Sequence, residues 1–311
     1  MIIDLPDTTT SQVAKNLVKA REEGGVVALG RVLTLIIAAP DDALEAAVDA
    51  ANDASREHPM RVIVLTTSEG EARLDAQIRV GGDAGASEVV VLHAYGAAAS
   101  NEESLVTGLL LPDAPVVVWW PTLAPEASAE SPLGRIAQRR ITDAATATDV
   151  RAQLEVLGRT HVPGDTDLAW TRLTHWREQL AAVLDQPPFD EVTAVEVRGA
   201  ADSPSTALLA AWLGLALDVP VRWAYEPIAQ WAHGIKSVRL SRANGDILLE
   251  RPVPGSAMLT QPGQPDHELH LPRRTLRECL AEELRRLDPD VLYGRVITEG
   301  FAKLSAPEPV A

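Results

Sequence analysis

The sequence predicts an α/β protein of two domains. The amino-terminal one is a mostly parallel sheet covered by helices, and the carboxy-terminal one is mixed α+β with an antiparallel hairpin meander. Three observations predict this. The first half alternates helical spacings with short runs of Val, Ile and Leu, the habit of βα units whose strands are buried on both faces. The second half carries Ala243-Asn-Gly-Asp between two strand-like runs, a strong hairpin signal. The 311 residues also exceed what one core of about 150 residues organises. Pro163 and Gly164, within residues 161–165, mark the expected boundary and define domains 1–160 and 161–311.

Taken in order, residues 10–23 read as a helix, with Val13, Leu17 and Ala20 on one face and Gly24-Gly25 as its stop. Residues 26–39 read as extended, with Gly30-Arg31 turning a hairpin or bending one strand. An Ala-rich helix follows over 43–56, with Asp42 and Glu45 as its capping box. Residues 61–67 and 88–93 are too short for buried helices and read as central strands. Ser100 and Glu103 box a helix over 105–111 that Pro112 stops, and 116–120 form the next strand. Residues 122–132 have no periodicity. Ser131-Pro132 starts a short helix that runs through Arg140, and 150–159 form another.

The second half opens with a helix over 167–184, striped by Leu173, Trp176, Leu180 and Leu184. A strand over 192–197, a helix over 205–217 begun by Ser203-Pro204, and a strand over 219–223 make one βαβ unit. Residues 236–242 and 247–251 pair about Asn244-Gly245, a type I′ turn by composition. Residues 256–260 and 268–271 extend the meander. Thr275 and Glu278 box a final helix with Leu276, Leu280, Leu284 and Leu287 inward.

Composition narrows the function classes. Lys plus Arg total 28 against 44 Asp plus Glu, a formal charge of −16, which disfavours nucleic acid and anionic lipid as partners. A single cysteine, Cys279, excludes an internal disulfide and any thiolate metal cluster. The amino terminus lacks a basic segment followed by a long apolar one, and no apolar run approaches the ~20 residues of a membrane span, so a cytoplasmic protein is expected.

Motifs of catalysis are missing. There is no Gly-x-Gly-x-x-Gly, no Walker-type loop and no Gly-x-Ser-x-Gly elbow. His267 and His270 are three apart on an expected strand, where a zinc pair needs four on a helix. Cys279 beside Leu280 on an amphipathic helix reads as core. Neither a cofactor nor a metal is expected. Seven of the twelve Phe, Tyr and Trp residues are Trp, which favours large rigid anchors. Trp119 and Trp120 are neighbours on one strand, so their side chains leave opposite faces, one toward the core and the other toward a helix or a partner. Arg135, Arg139 and Arg140 form the densest positive patch of the acidic amino-terminal domain, suited to a carboxylate, a phosphate or their own acidic neighbours. Arg239, Arg242, Arg251, Arg273, Arg274 and Arg277 pose the same choice, and charge alone does not make it.

Long segments then resemble one family over nearly the full length. They include Ile3-Asp-Leu-Pro-Asp-Thr-Thr-Thr, Ala51-Asn-Asp-Ala-Ser-Arg-Glu-His-Pro, Arg73-Leu-Asp-Ala-Gln-Ile-Arg-Val-Gly-Gly-Asp-Ala-Gly-Ala-Ser-Glu and Trp119-Trp-Pro. Further on come Arg139-Arg-Ile-Thr-Asp-Ala, Gly164-Asp-Thr-Asp-Leu-Ala-Trp-Thr-Arg, Gln261-Pro-Gly-Gln-Pro-Asp and Glu278-Cys-Leu-Ala-Glu-Glu-Leu-Arg-Arg-Leu-Asp-Pro-Asp. The chain resembles the actinobacterial glucose-6-phosphate dehydrogenase assembly proteins called OpcA. The resemblance implies a non-catalytic assembly factor and allosteric activator of that dehydrogenase, supporting the oxidative pentose phosphate pathway and its NADPH supply. Thiol control, ascribed to photosynthetic relatives, has no internal disulfide to work through here. The motif-rich segments converge near the expected boundary, making Trp119, Trp120, Arg135, Arg139, Arg140, Asp165, Asp167 and Trp170 the expected partner-binding residues. The alternative is an α/β enzyme or sensor that binds a sugar phosphate or nucleotide through the turn at residues 81–87 and the patch at 135–140.

Overall fold

The computed structural model describes residues 1–23, 32–81, 88–226, 231 and 234–309. The expected Gly24-Gly25 stop, the turn at Gly30-Arg31 and most of the 81–87 turn lie outside those residues. In chain order the first elements are β1 (Ile2–Leu5), α1 (Thr10–Glu23), β2 (Leu33–Ala38), α2 (Asp41–Ala54), β3 (Met60–Ser68), β4 (Arg73–Arg79) and β5 (Glu88–Tyr95). Next come α3 (Glu102–Thr107), β6 (Val116–Trp119), α4 (Pro132–Ile136), β7 (Arg139–Thr142), α5 (Val150–Thr160) and β8 (Asp165–Asp167). There follow α6 (Leu168–Thr171), α7 (Thr174–Leu184), β9 (Val192–Ala200), α8 (Pro204–Leu217), β10 (Val221–Glu226), β11 (Ile235–Arg242) and β12 (Ile247–Val253). The last are β13 (Gly255–Thr260), β14 (His267–Leu271), α9 (Leu276–Arg285), α10 (Val291–Arg295) and β15 (Glu308–Pro309).

These group into two compact units: residues 1–143 with 164–166 and 276–289, and residues 144–163 with 167–275 and 290–311. The units interleave along the chain, so α9 belongs to the first although it follows most of the second in sequence.

The first unit holds a sheet of order β1-β4-β5-β3-β2-β6-β7-β8. Pairings β5-β3, β3-β2, β2-β6 and β6-β7 are parallel, while β1-β4 and β4-β5 are antiparallel. The central runs of Val, Ile and Leu are buried on both faces, which is why they read as continuous rather than alternating. Val13, Leu17 and Ala20 of α1 join this core as their spacing predicts.

Several expectations need correction. The box at Asp42 and Glu45 does not form: Pro40 is the cap of α2 and Asp41 and Asp42 fill its first turn. Asn101, not Ser100, caps α3, accepting from the Ser104 amide at 3.1 Å. Ser131 does cap α4, accepting from the Gly134 amide at 3.0 Å, but the helix ends at Ile136 instead of running through Arg140. Gln138 is drawn onto β6, its amide donating to the Val116 carbonyl at 2.9 Å and its side-chain oxygen accepting from the Val116 amide at 2.6 Å. Arg139–Thr142 therefore pairs as a buried strand. Leu74, Ala76 and Ile78 are all buried on β4, a period-two pattern that marks this further strand.

The second unit holds a sheet of order β14-β13-β12-β11-β9-β10-β15. β9, α8 and β10 form the expected parallel βαβ unit, and β11 to β14 form an antiparallel meander. α8 is apolar all round and is buried through most of its length, as an interior helix must be. The helix expected over 167–184 is instead two, α6 and α7. The Leu173 amide reaches back only three residues, to the Trp170 carbonyl at 3.0 Å, and the Thr174 hydroxyl donates to the Thr171 carbonyl at 2.9 Å. The hairpin loop is longer than a type I′ turn. The Gly245 amide donates to the Arg242 carbonyl at 3.2 Å, and Gly245 carries the loop's positive φ, +116°.

Candidate functional site

In open α/β sheets, ligands sit outside the carboxyl ends of the strands where strand order reverses, here between β2 and β6. The chain leaving β2 is Ala39-Pro40-Asp41-Asp42, and both aspartates occupy the first turn of α2. A dinucleotide pyrophosphate is held by the amides of such a helix start, and two carboxylates beside those amides repel it. Nearby, His93 Nδ1 lies 2.9 Å from Thr66 Oγ1 and 3.1 Å from Asp41 Oδ1. Both contacts fall on the same ring nitrogen, so His93 cannot relay between a nucleophile and an orienting carboxylate, which needs one nitrogen for each. Glu45 is held below the usual carboxylate range by two hydrogen bonds from Arg79, at 2.6 and 2.9 Å. Among the described residues no group of three or more His, Cys, Asp and Glu is placed to hold a metal.

The expected partner-binding residues are mostly interior. Trp119 is fully buried, and its indole N–H meets no acceptor among the described residues. Trp120 packs in the first unit's core with Val116, Val118 and Leu133. Arg139 is 3% exposed, ion-paired to Glu283 of α9 and donating to the Asp288 carbonyl at 2.8 Å. Arg140 pairs with Asp165 and donates to the Ala137 carbonyl at 2.9 Å. Gly164, at φ +99°, lets the backbone pass: a Cβ there would lie 2.6 Å from the Gln138 carbonyl oxygen and 2.8 Å from the Arg140 guanidinium. In the second unit, Asp167 accepts from the amides of Ala144 and Ala169 at 2.9 and 2.8 Å, capping α6. Trp170 donates to Asp290 at 2.8 Å and lies under the Arg177 guanidinium, 3.8 Å from its ring centre. Arg135 alone of the eight has an exposed side chain, at 57%, with an ion pair to Glu103 at 3.3 Å.

Arg251 and Arg273 behave differently. With Arg172 they line a cleft of about 90 Å³ in the second unit, beside Ser203 and Ser205 at the start of α8. Burial, reinforced by the like charge of Arg273, pushes the Arg251 guanidinium down to about 10. The sequence marks both arginines as charged, but nothing in local spacing shows that they converge.

Two family models match the chain, one described as a glucose-6-phosphate dehydrogenase subunit N-terminal domain over residues 51–159, the other as the C-terminal domain of that subunit over 163–297. No curated protein matches the sequence. Among solved structures, an oxidoreductase from Sinorhizobium meliloti is similar at 13% identity and TM-score 0.47, covering 85% of this chain and 86% of that one. Glucose-6-phosphate 1-dehydrogenase from Mycobacterium avium is similar at 12% identity and TM-score 0.42, over 90% and 94%. UDP-N-acetylglucosamine 3-dehydrogenase from Acidithiobacillus ferrooxidans is similar at 9% identity and TM-score 0.40, over 87% and 96%. Scores this low carry no argument about this chain. The two family matches together span most of the sequence, and the chain belongs to the OpcA family of glucose-6-phosphate dehydrogenase assembly proteins.

Proposed function

We propose that the chain promotes glucose-6-phosphate dehydrogenase assembly and activity as a cytoplasmic binding subunit with no reaction centre of its own. The observation that carries this reading is the first turn of α2. At the place where an open parallel sheet would take a nucleotide, Asp41 and Asp42 set two carboxylates beside the first amides of the helix. Among the described residues no helix is long and apolar enough to cross a membrane. An activator must bind the active dehydrogenase better than the inactive one, since equal affinity shifts nothing. A tenfold shift needs about 1.4 kcal/mol of differential binding, which one anchored side chain supplies. Of the eight candidates, Arg135 is the one offered for direct contact, and the other seven act by holding the surface in shape.

The test is to mix the purified chain with glucose 6-phosphate and NADP, with and without the dehydrogenase. No NADPH should form from the chain alone, and the dehydrogenase rate should rise with added chain. Turnover by the chain alone, or an unchanged dehydrogenase rate, refutes the reading.

A further inference from the structure

We propose that the cleft at the start of α8 binds the phosphate group of a small phosphate monoester. The cleft lies wholly in the second unit; Arg251 and Arg273 line it together with Arg172, which has a partner of its own, and Asp202 is the carboxylate among its lining residues. In a chain of net charge −16, two arginines gathered at one cleft mark a place for an anion.

Arg251 is the central observation. It projects from β12 and is 3% exposed. Two of its nitrogens donate to main-chain carbonyls, Ile235 at 3.3 Å and Leu271 at 2.7 Å, and its guanidinium carbon lies 5.0 Å from the Trp176 ring centre. No carboxylate pairs with it, and its Nε–H meets no acceptor among the described residues. A buried cation without a counter-ion is costly to hold, and a second cation beside it raises that cost. Arg273 is exposed at the rim and makes no ion pair among the described residues. A bound dianion supplies what both lack.

The third contribution is the helix start. α8 has 14 residues, begins with Pro204 and is capped by the Ser203 hydroxyl, which accepts from the Thr206 amide at 3.3 Å. That leaves the Ser205 N–H among the donors without an intrahelical acceptor, at the positive end of the helix dipole. A helix start and two guanidinium groups at one cleft combine main-chain and charged donors, the set that phosphate sites use. The volume accommodates one phosphate group, so the remainder of the molecule extends toward solvent.

The proposal does not rest on the assembly role, and its test contains no dehydrogenase, so either idea fails without the other. The full chain is titrated calorimetrically at low salt with glucose 6-phosphate, inorganic phosphate and glucose as probes. Saturable binding of both phosphate probes and none of glucose is expected. Arg273→Glu should weaken the phosphate probes at least tenfold while the unfolding midpoint stays put, and Arg251→Gln should abolish binding if it folds. Wild-type protein that binds neither phosphate probe, or Arg273→Glu protein that binds them as well as wild type, overturns the site.

Discussion

Two arginine clusters separate the units of this protein by how their charge is met. On β7 of the first unit, Arg139 and Arg140 each find a carboxylate of the same unit, Glu283 and Asp165. In the second unit, Arg251 is as deeply buried but faces Trp176 and main-chain carbonyls, with no carboxylate against it among the described residues. The residue type is the same, and so is the degree of burial. What differs is whether the fold completes the electrostatics, and only an incomplete set has a reason to receive something from outside. Arg139 and Arg140, both expected as partner anchors, are already bonded and enclosed in their own unit.

The comparison breaks most sharply at Glu283. Glu283→Ala turns Arg139 into an uncompensated buried cation, and we expect a loss of about 3–5 kcal/mol in urea unfolding. A loss near zero would mean that the pairing on β7 carries no weight and that the two clusters do not differ as described. Replacing Arg139 and Glu283 together by Met and Leu should recover most of that loss. Asp167→Ala, which leaves the amides of Ala144 and Ala169 without their acceptor, should cost about 1–3 kcal/mol by the same measurement.

A pH series sharpens the contrast on an exposed face. Desolvation pushes Glu196 upward, but hydrogen bonds from Arg198 and Arg222 outweigh it and hold its carboxyl below the usual range. A lowered carboxyl contributes stability that is present above its unfolded value and disappears as the pH falls through its folded value. Arg222→Ala should therefore remove part of the acid-side decline in stability, by roughly 1 kcal/mol or less at this partly exposed site. The smallest effect on folding belongs to Arg135→Ala, expected within about 0.5 kcal/mol of wild type. The same variant should reduce activation of the dehydrogenase if its exposed guanidinium contacts the partner. Unaltered activation would remove Arg135 from the interface.

Much of the architecture was legible because its signals are local. The spacing of Val13, Leu17 and Ala20 places α1, the buried runs at β3 and β5 read as strands, and Ser131 and Ser203 cap the helices they precede. The failures lie where a distant partner overrode a local preference. Residues 137–140 look like the end of a helix until β6 captures Gln138 and the chain extends. The cap of α2 passed from Asp42 to Pro40 because the helix began earlier than its apolar period did.

By itself the sequence determined the α/β class, most element positions, the hairpin at Gly245 and membership of the OpcA family, since periodicity, turn chemistry and long matching segments are all written in neighbouring residues. Only the tertiary structure decided which arginines are spoken for. Arg139 meets Glu283 at a separation of 144 positions, while Arg251 and Arg273 gather at the start of α8 with no such companion among the described residues. Burial and ion pairing are properties of positions in space, and a charge carries no mark in the chain of how the fold will neutralise it.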